Sequence, residues 1–291
     1  MTAQHALHTK EARTNTHGIS AHTHSSDASK GGNVLNADSM LVCTNVEKYF
    51  GTRTNITKAL AGVSFTMKQG EFVGVMGPSG SGKSTLLNCI STIDKPTLGT
   101  ITVNNQDVTR LRGRQLASFR RTQLGFIFQD SNLLETLTAY ENIALPLCLS
   151  ACSVRVMDEK VKNLASLLNI ADVLKKYPNQ MSGGQRQRVA AARALISDPA
   201  IVLADEPTGS LDSKNSRILL ESFEEINHKR SASILMVTHD PFSASYASRI
   251  IFIKDGRVFN ELVRGEKSRQ AFFKEIMDVV SYLGGSDAAL H

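Results

Sequence analysis

Three short apolar runs dominate the hydrophobic pattern: Phe72–Met76, Ile201–Ala204 and the start of "SILMVTHD" at Ser233. Each is an unbroken block rather than an alternation, which predicts strands buried on both faces of a parallel sheet. Helical spacing follows the first run at Leu86, Leu87 and Ile90 and recurs at Val161, Leu164, Leu167 and Leu168. An alanine-rich helix is expected to start within "MSGGQRQRVAAARAL", from Met181 to Leu195. Near the end, "SRQAFFKEIMDVVSYLGG" places Phe272, Ile276, Val279, Val280 and Leu283 along one side of a helix, with Gly284 and Gly285 expected as its C-terminal cap.

The start of the chain has a different pattern. Met40 opens an alternating stretch, "MLVCTNVEKYF", that reads as a first strand. The 39 residues before it hold five of the eight histidines among small polar residues, with too little apolar surface to fold. They are expected to be a disordered tail. Metal binding by His17, His22 and His24 is the competing account, and a start codon assigned too early would explain the tail equally well. The expected organisation is thus a tail over 1–39, a main domain over 40–265 with a helical insertion at about 130–182, and a helical extension over 266–291.

Composition sets further bounds. With 291 residues, 41% of them hydrophobic, the chain can bury one large core. The formal net charge of +6 cancels within the residues before Met40 and within those after Val263, so the excess belongs to the middle. It forms no run of five like charges, which points to a solvated basic surface and not to nucleic acid as a partner. Cys43, Cys89, Cys148 and Cys152 show no CxxC spacing and read as reduced thiols of the cytosol. No apolar run approaches the roughly 20 residues needed to cross a bilayer, so the chain is not expected to enter a membrane by itself.

The chemistry sits where the apolar runs end. After Met76, Gly77, Pro78, Ser79, Gly80, Ser81, Gly82, Lys83, Ser84 and Thr85 contain the pattern GxxxxGK[ST], with a strand before and a helix after. Glycines let backbone amides curl around a phosphate, and the helix N-terminus adds roughly half a positive charge. Lys83 suits the β and γ phosphates, and the Ser84 hydroxyl suits Mg²⁺. The second run delivers Asp205, for Mg²⁺, and Glu206, to polarise an attacking water, to the sheet edge where ligands bind. The third strand, "SILMVTHD", is expected to run from Ser233 to Asp240 and to bring His239 to the same edge, where its imidazole could bond a γ-phosphate and hold the water.

Taken together, Gly77–Thr85, Met181–Gln185 and Ile201–Glu206 resemble the nucleotide-binding domain of ABC transporters, with "MSGGQ" similar to that family's LSGGQ signature. The resemblance implies an α/β fold: a P-loop NTPase core with a parallel sheet, an N-terminal antiparallel β subdomain and an inserted α-helical subdomain. It also implies ATP and Mg²⁺ as cofactors and a head-to-tail dimer in which Ser182, Gly183, Gly184 and Gln185 close over the partner copy's ATP. Gln129 resembles the Q-loop glutamine that senses Mg²⁺, and Asp212 in "GSLD" resembles the D-loop residue at the dimer interface. Tyr49 resembles the aromatic that stacks on adenine, with Phe50 the competing choice.

A separate integral membrane permease is the implied partner, docking on the helical insertion, and the cytoplasmic face of the membrane is the implied location. "KALAGVSFTMKQGEFVGVMGPSGSGKSTLLNCI", "GFIFQDSNLL" and "DEPTGSLD" resemble the group serving macrolide efflux, lipoprotein release, cell division and peptide-antibiotic resistance. The closing "KSRQAFFKEIMDVVSYLGG" is similar to the bacitracin-type branch. The resemblance thus implies an ATPase that powers export or removal of a substrate, a peptide antibiotic, through the permease; a cell-division or lipoprotein-release type ATPase and a soluble regulatory ATPase without a transported substrate are the alternatives.

Overall fold

The computed structural model describes residues 39–52, 55–150 and 152–288, the last five by backbone alone. The expected tail, including His17, His22 and His24, lies outside the described residues except for Ser39. Two sheets organise the rest. Strands β1 (Ser39–Thr52) and β2 (Asn55–Lys68) pair antiparallel, and β4 (Leu98–Val103) and β5 (Gln106–Asp107) extend them in the order β2-β1-β4-β5. On β2, Leu60, Val63, Phe65 and Met67 are buried while Ser64, Thr66 and Lys68 are exposed, so the alternation expected of a half-buried strand is visible there.

The second sheet follows the unbroken apolar runs. It has the order β10-β9-β3-β8-β7-β6, with β3 (Phe72–Met76), β6 (Leu124–Ile127), β7 (Ile201–Asp205), β8 (Ser233–Val237), β9 (Arg249–Lys254) and β10 (Arg257–Val263). All neighbours from β9 to β6 are parallel, and only β10 runs antiparallel. Every residue of β3 and β8 is buried because both faces are covered. On one face Val73, Val75, Leu203, Leu235 and Val237 pack with Leu86, Leu87 and Ile90 of α1 (Lys83–Ile90) and with the antiparallel sheet. On the other, Phe72, Met76, Val202, Ala204, Ile234 and Met236 pack with α5 (Gly183–Leu195) and α6 (Ser213–Arg230).

Between β4 and β7 lie α2 (Gly113–Gln123), α3 (Ala139–Cys148) and α4 (Val154–Leu167). Val161, Leu164 and Leu168 are buried as their spacing requires, and Leu167 is half-buried. A capping box formed by Thr138 and Glu141 starts α3. The buried Asn142 ties the preceding loop to α3 by accepting from the Leu134 amide at 2.8 Å and donating to the carbonyls of Leu134, Leu137 and Thr138.

Two expectations are corrected. The third apolar strand stops at Val237, short of Asp240, because Asp240 turns the chain into the short helix α7 (Pro241–Ala244) by accepting from the amides of Phe242 and Ser243. Gly284 and Gly285 do not cap the last helix: α8 (Arg269–Ala288) runs through both, since glycine weakens a helix interior by only about 1 kcal/mol per residue and ends it only when it turns left-handed. Phe272, Ile276 and Leu283 are buried against the core, with Val279 and Val280 half-buried beside them. Each fully buried side chain of this size stabilises the docked helix by about 1.5–3 kcal/mol.

Candidate active site

The strand order assembles four distant segments. Because β3, β8, β7 and β6 are adjacent and parallel, their carboxyl ends share one edge, the position where open α/β sheets bind ligands. Gly77–Thr85 leave β3, Thr238 and His239 leave β8, Asp205 ends β7 with Glu206 just after it, and Gln129 follows β6.

The loop after β3 is shaped by its neighbours as much as by its own glycines. A Cβ on Gly77, at φ +154°, would lie 2.0 Å from the carbonyl oxygen of Ile253 at the end of β9. A Cβ on Gly82, at φ +104°, would lie 2.4 Å from the Ala59 carbonyl on β2. Gly82 is the N-cap of α1, so the first-turn amides have no intrahelical partner, and the exposed Ser84 and half-buried Thr85 stand in that turn. Pro78, Ser79 and Gly80 form the outward bend. Lys83 folds back into the loop, its Nζ donating to the Gly77 carbonyl at 2.9 Å and the Pro78 carbonyl at 2.8 Å. Burial pushes its pKa down, and Glu206 and Asp205 pull it back up.

Facing the loop are two carboxylates in unlike settings. Asp205 Oδ1 is buried without a hydrogen-bond partner, and burial, then the Glu206 charge, pushes its pKa up against the pull of Lys83. Glu206 occupies the left-handed region at φ +48°, a rare conformation for its residue type that tends to cluster at functional sites. Its amide donates to the Val237 carbonyl at 2.9 Å, and its Oε1 lies 2.8 Å from Nδ1 of His239. The His239 side chain is 73% exposed and that of Glu206 19%, so the pair opens toward the outside of the edge. A cleft of about 400 Å³ adjoins the pair, lined in part by Thr208, Leu211, Arg217 and Phe242.

Gln129 lies against Gly209, where an added Cβ would meet its amide nitrogen at 3.1 Å, and its carbonyl accepts from Ser210 Oγ at 3.1 Å. The same loop is held from α5: Gln187 Nε2 donates to the Phe128 carbonyl at 2.5 Å, and Arg193 donates to the carbonyls of Ser131 and Asn132 at 2.9 and 2.7 Å. These two clamps were not singled out in the sequence. Their only sequence signal is polar side chains on a helix whose other positions are largely apolar.

The segment Ser182–Gln185 heads a different helix, α5. Ser182 Oγ accepts from the Gln185 amide at 3.2 Å and Gln185 Oε1 accepts from the Ser182 amide at 3.0 Å, a capping box that starts α5. A Cβ on Gly184 would lie 2.2 Å from Oδ1 of Asn215, whereas one on Gly183 would meet only Leu211 at 3.7 Å. Asn215 in turn donates to Asp212 from its amide at 2.8 Å and its side chain at 2.7 Å, bonds that hold the Asp212 carboxyl below its ordinary range and cap α6.

Of the two candidate aromatics, the half-buried Tyr49 is engaged on both sides: its hydroxyl bonds Glu47 and the Lys58 ammonium lies 5.1 Å from its ring centroid. Phe50 is 42% exposed, with Lys48 4.8 Å from its ring. Both sit where β1 pairs with Thr57 and Lys58, next to the Ala59 carbonyl that touches Gly82.

Amides turned toward an anion, a lysine among them and a carboxylate held by an imidazole are what an ATP hydrolase of the P-loop class requires. Comparison with known proteins makes the class specific. The ABC transporter family model matches residues 60–209, and the chain belongs to that family, as an ATP-binding and ATP-hydrolysing subunit. It is 51% identical over 246 residues to the bacitracin export ATP-binding protein BceA of Halalkalibacterium halodurans, covering 84% of this chain and 97% of that one. It is 55% identical over 229 residues to the ABC transporter ATP-binding protein YxdL of Bacillus subtilis, covering 79% and 89%. Among solved structures it resembles the dimeric post-hydrolysis cassette MJ0796 bound to ADP and Pi, from Methanocaldococcus jannaschii, with a TM-score of 0.71, 40% identity and coverage of 77% and 98%. MJ0796 is dimeric, and cbiO1 from Clostridium perfringens, which this chain resembles with a TM-score of 0.73 at 25% identity, is part of the ABC transporter complex cbiONQ. Among the described residues no helix is long and apolar enough to cross a membrane.

Proposed function

We propose that this chain drives a separate integral membrane permease from the cytoplasmic face of the membrane, and that the cargo exported or removed is a peptide antibiotic of the bacitracin type. The hydrolytic part of the reading rests on one observation: Glu206, bound by His239 at 2.8 Å, at an edge shared with the Lys83 loop. The cargo class is supported by the likeness to the bacitracin export protein across 97% of its length.

In this reading ATP seats its phosphates on the amides of Gly80–Thr85. Lys83 exchanges the Gly77 and Pro78 carbonyls, which it already reaches, for β and γ phosphate oxygens. Glu206 Oε1 is oriented by His239, leaving the other carboxylate oxygen to take a proton from water. The donor set fits a divalent cation: the orphaned buried oxygen of Asp205 and the exposed Ser84 hydroxyl are hard oxygen ligands, and Gln129 would complete the set. Mg²⁺ held there would neutralise phosphate charge as the γ-phosphate leaves.

A second copy, head to tail, would bring Ser182, Gly183, Gly184 and Gln185 to the γ-phosphate and Asp212 to the interface. Gly183 has no neighbour nearer than Leu211, which a Cβ would meet at 3.7 Å, and the missing side chain would favour such a close approach. We assign the adenine stack to Phe50 rather than Tyr49, because its ring is the more exposed and Tyr49 is tied to Glu47 and Lys58. The reading is tested by capturing the tagged protein from detergent-solubilised membranes. A stoichiometric permease is the expected companion, and recovery of the protein alone with its ATPase intact would overturn the transport role.

A further inference from the structure

The basic excess of the sequence has a definite address in the fold. From Ile93 to Gln123 the chain carries Lys95, Arg110, Arg112, Arg114, Arg120 and Arg121 against Asp94 and Asp107, which is four of the six net charges of the whole protein. All six cations are exposed. Both carboxylates are already paired, Asp94 with Lys48 at 3.2 Å and Asp107 with Arg110 at 3.0 Å. Arg112 donates to the Thr109 and Leu111 carbonyls, and Arg120 is bound to Thr92. Lys95, Arg114 and Arg121 have no side-chain partner among the described residues. Helix α2, where three of the arginines sit, contains no acidic residue at all.

Geometry separates this surface from the ATP edge. The patch gathers at the far end of α1, whose eight residues carry it about 12 Å from the phosphate loop. A cleft of about 520 Å³ opens there, lined by Lys95, Thr97, Leu98, Arg110 and Arg112 among others. Leu98, in its lining, is 56% exposed, and Ile93, two residues before Lys95 in the chain, is 55% exposed. Nucleic-acid surfaces interleave basic residues with exposed aromatics, but Phe119, the one aromatic of this stretch, is buried. Cations beside bare aliphatic side chains suit an anionic lipid surface, where the charges meet headgroup phosphates and the short apolar chains enter the interface.

We infer that this face, centred on Lys95, Arg112, Arg114 and Arg121 with Ile93 and Leu98, rests on anionic lipid headgroups beside the permease. The inference uses the permease reading only to place a membrane nearby. Its test therefore needs no permease: the full chain is mixed with phosphatidylcholine vesicles, with and without phosphatidylglycerol, and sedimented. Binding is expected only to the anionic vesicles, weakening as salt shortens the reach of the charges. Arg114→Gln with Arg121→Gln should weaken it about 25-fold, taking about 1 kcal/mol per cation as fivefold each, with unchanged ATPase. Ile93→Ser with Leu98→Ser should weaken it further.

Equal binding to neutral and anionic vesicles, no binding to either, or wild-type binding by the arginine pair variant would each overturn the inference. So would tighter retention on duplex DNA than on the anionic vesicles at the same salt. Loss of permease capture by the arginine variant in lipid-free detergent would place the surface on the permease instead, and would leave the transport reading itself standing.

Discussion

The phosphate loop edge and the head of α5 are both helix N-termini rich in glycine, yet they are finished differently. At the first, groups are left open: Asp205 Oδ1 and Ser81 Oγ are buried without partners, and Lys83 is parked on two carbonyls of its own loop. At the second, Ser182 and Gln185 satisfy one another, and Gly184 is filled against Asn215. Leaving buried polar groups unmade costs about 1–3 kcal/mol each, so the first edge is held at a cost that a ligand relieves. The second has its capping groups satisfied, and a Cβ on Gly183 would fit there in ordinary contact with Leu211 at 3.7 Å, although further along α5 Arg188 Nε and Nη1 are buried without partners. In the proposed reading, one is a site within the chain and the other becomes a site only against a second copy.

The largest effect should come from the edge. Glu206→Gln is expected to lower turnover by about 10²- to 10⁴-fold while ATP still binds, read by phosphate release and by nucleotide titration. Brisk hydrolysis would remove Glu206 from the role of base. Lys83→Ala should weaken ATP by about 10- to 100-fold, the equivalent of a charged hydrogen bond of about 1.5–3 kcal/mol, and unchanged affinity would undo the phosphate assignment.

The two glycines of the signature sharpen the contrast. Gly184→Ala forces a Cβ to within 2.2 Å of Asn215 and should destabilise the single chain by about 1–3 kcal/mol, measurable by denaturant unfolding. Gly183→Ala should leave unfolding unchanged and lower only the activity that depends on two copies meeting. If both variants unfold alike, the distinction between a filled and an open glycine fails.

Smaller effects test the edge alone. Asp205 has a folded pKa above its ordinary value, so its ionisation opposes folding of the ligand-free protein. Stability of that form should therefore fall as pH rises from the ordinary carboxylate range, near 4, through the folded pKa. Asp205→Asn should flatten this fall while abolishing Mg²⁺-dependent turnover; a steeper fall would show the carboxylate to be stabilising in the ligand-free state. Phe50→Ala should cost about 1–3 kcal/mol of ATP affinity and Tyr49→Ala less, compared by fluorescent nucleotide titration. The reverse order would return the stacking role to Tyr49.

What the sequence disclosed was local and periodic. The apolar blocks at Phe72, Ile201 and Ser233 announced buried strands, and a glycine loop between strand and helix announced phosphate. The capping box of Ser182 and Gln185 was not part of that reading, although the two stand three apart before a helix. What stayed hidden depends on tertiary placement. Strand order decides that β8 separates β3 from β7 and so sets His239 beside Glu206. The left-handed turn at Glu206, the clamps of Gln187 and Arg193 on the loop of Gln129, and the filling of Gly184 by Asn215 all join segments distant in the chain. The helix through Gly284 and Gly285 was missed because glycine is permitted both inside a helix and just past its end.

In the proposed dimer the two unlike helix heads meet across two copies around ATP, which light scattering on the Glu206→Gln protein, with and without ATP and Mg²⁺, would detect. The molar mass should double with nucleotide and return to that of one chain when Gly183→Ala is added. A protein that binds ATP but keeps the mass of a single chain throughout would rule the composite site out.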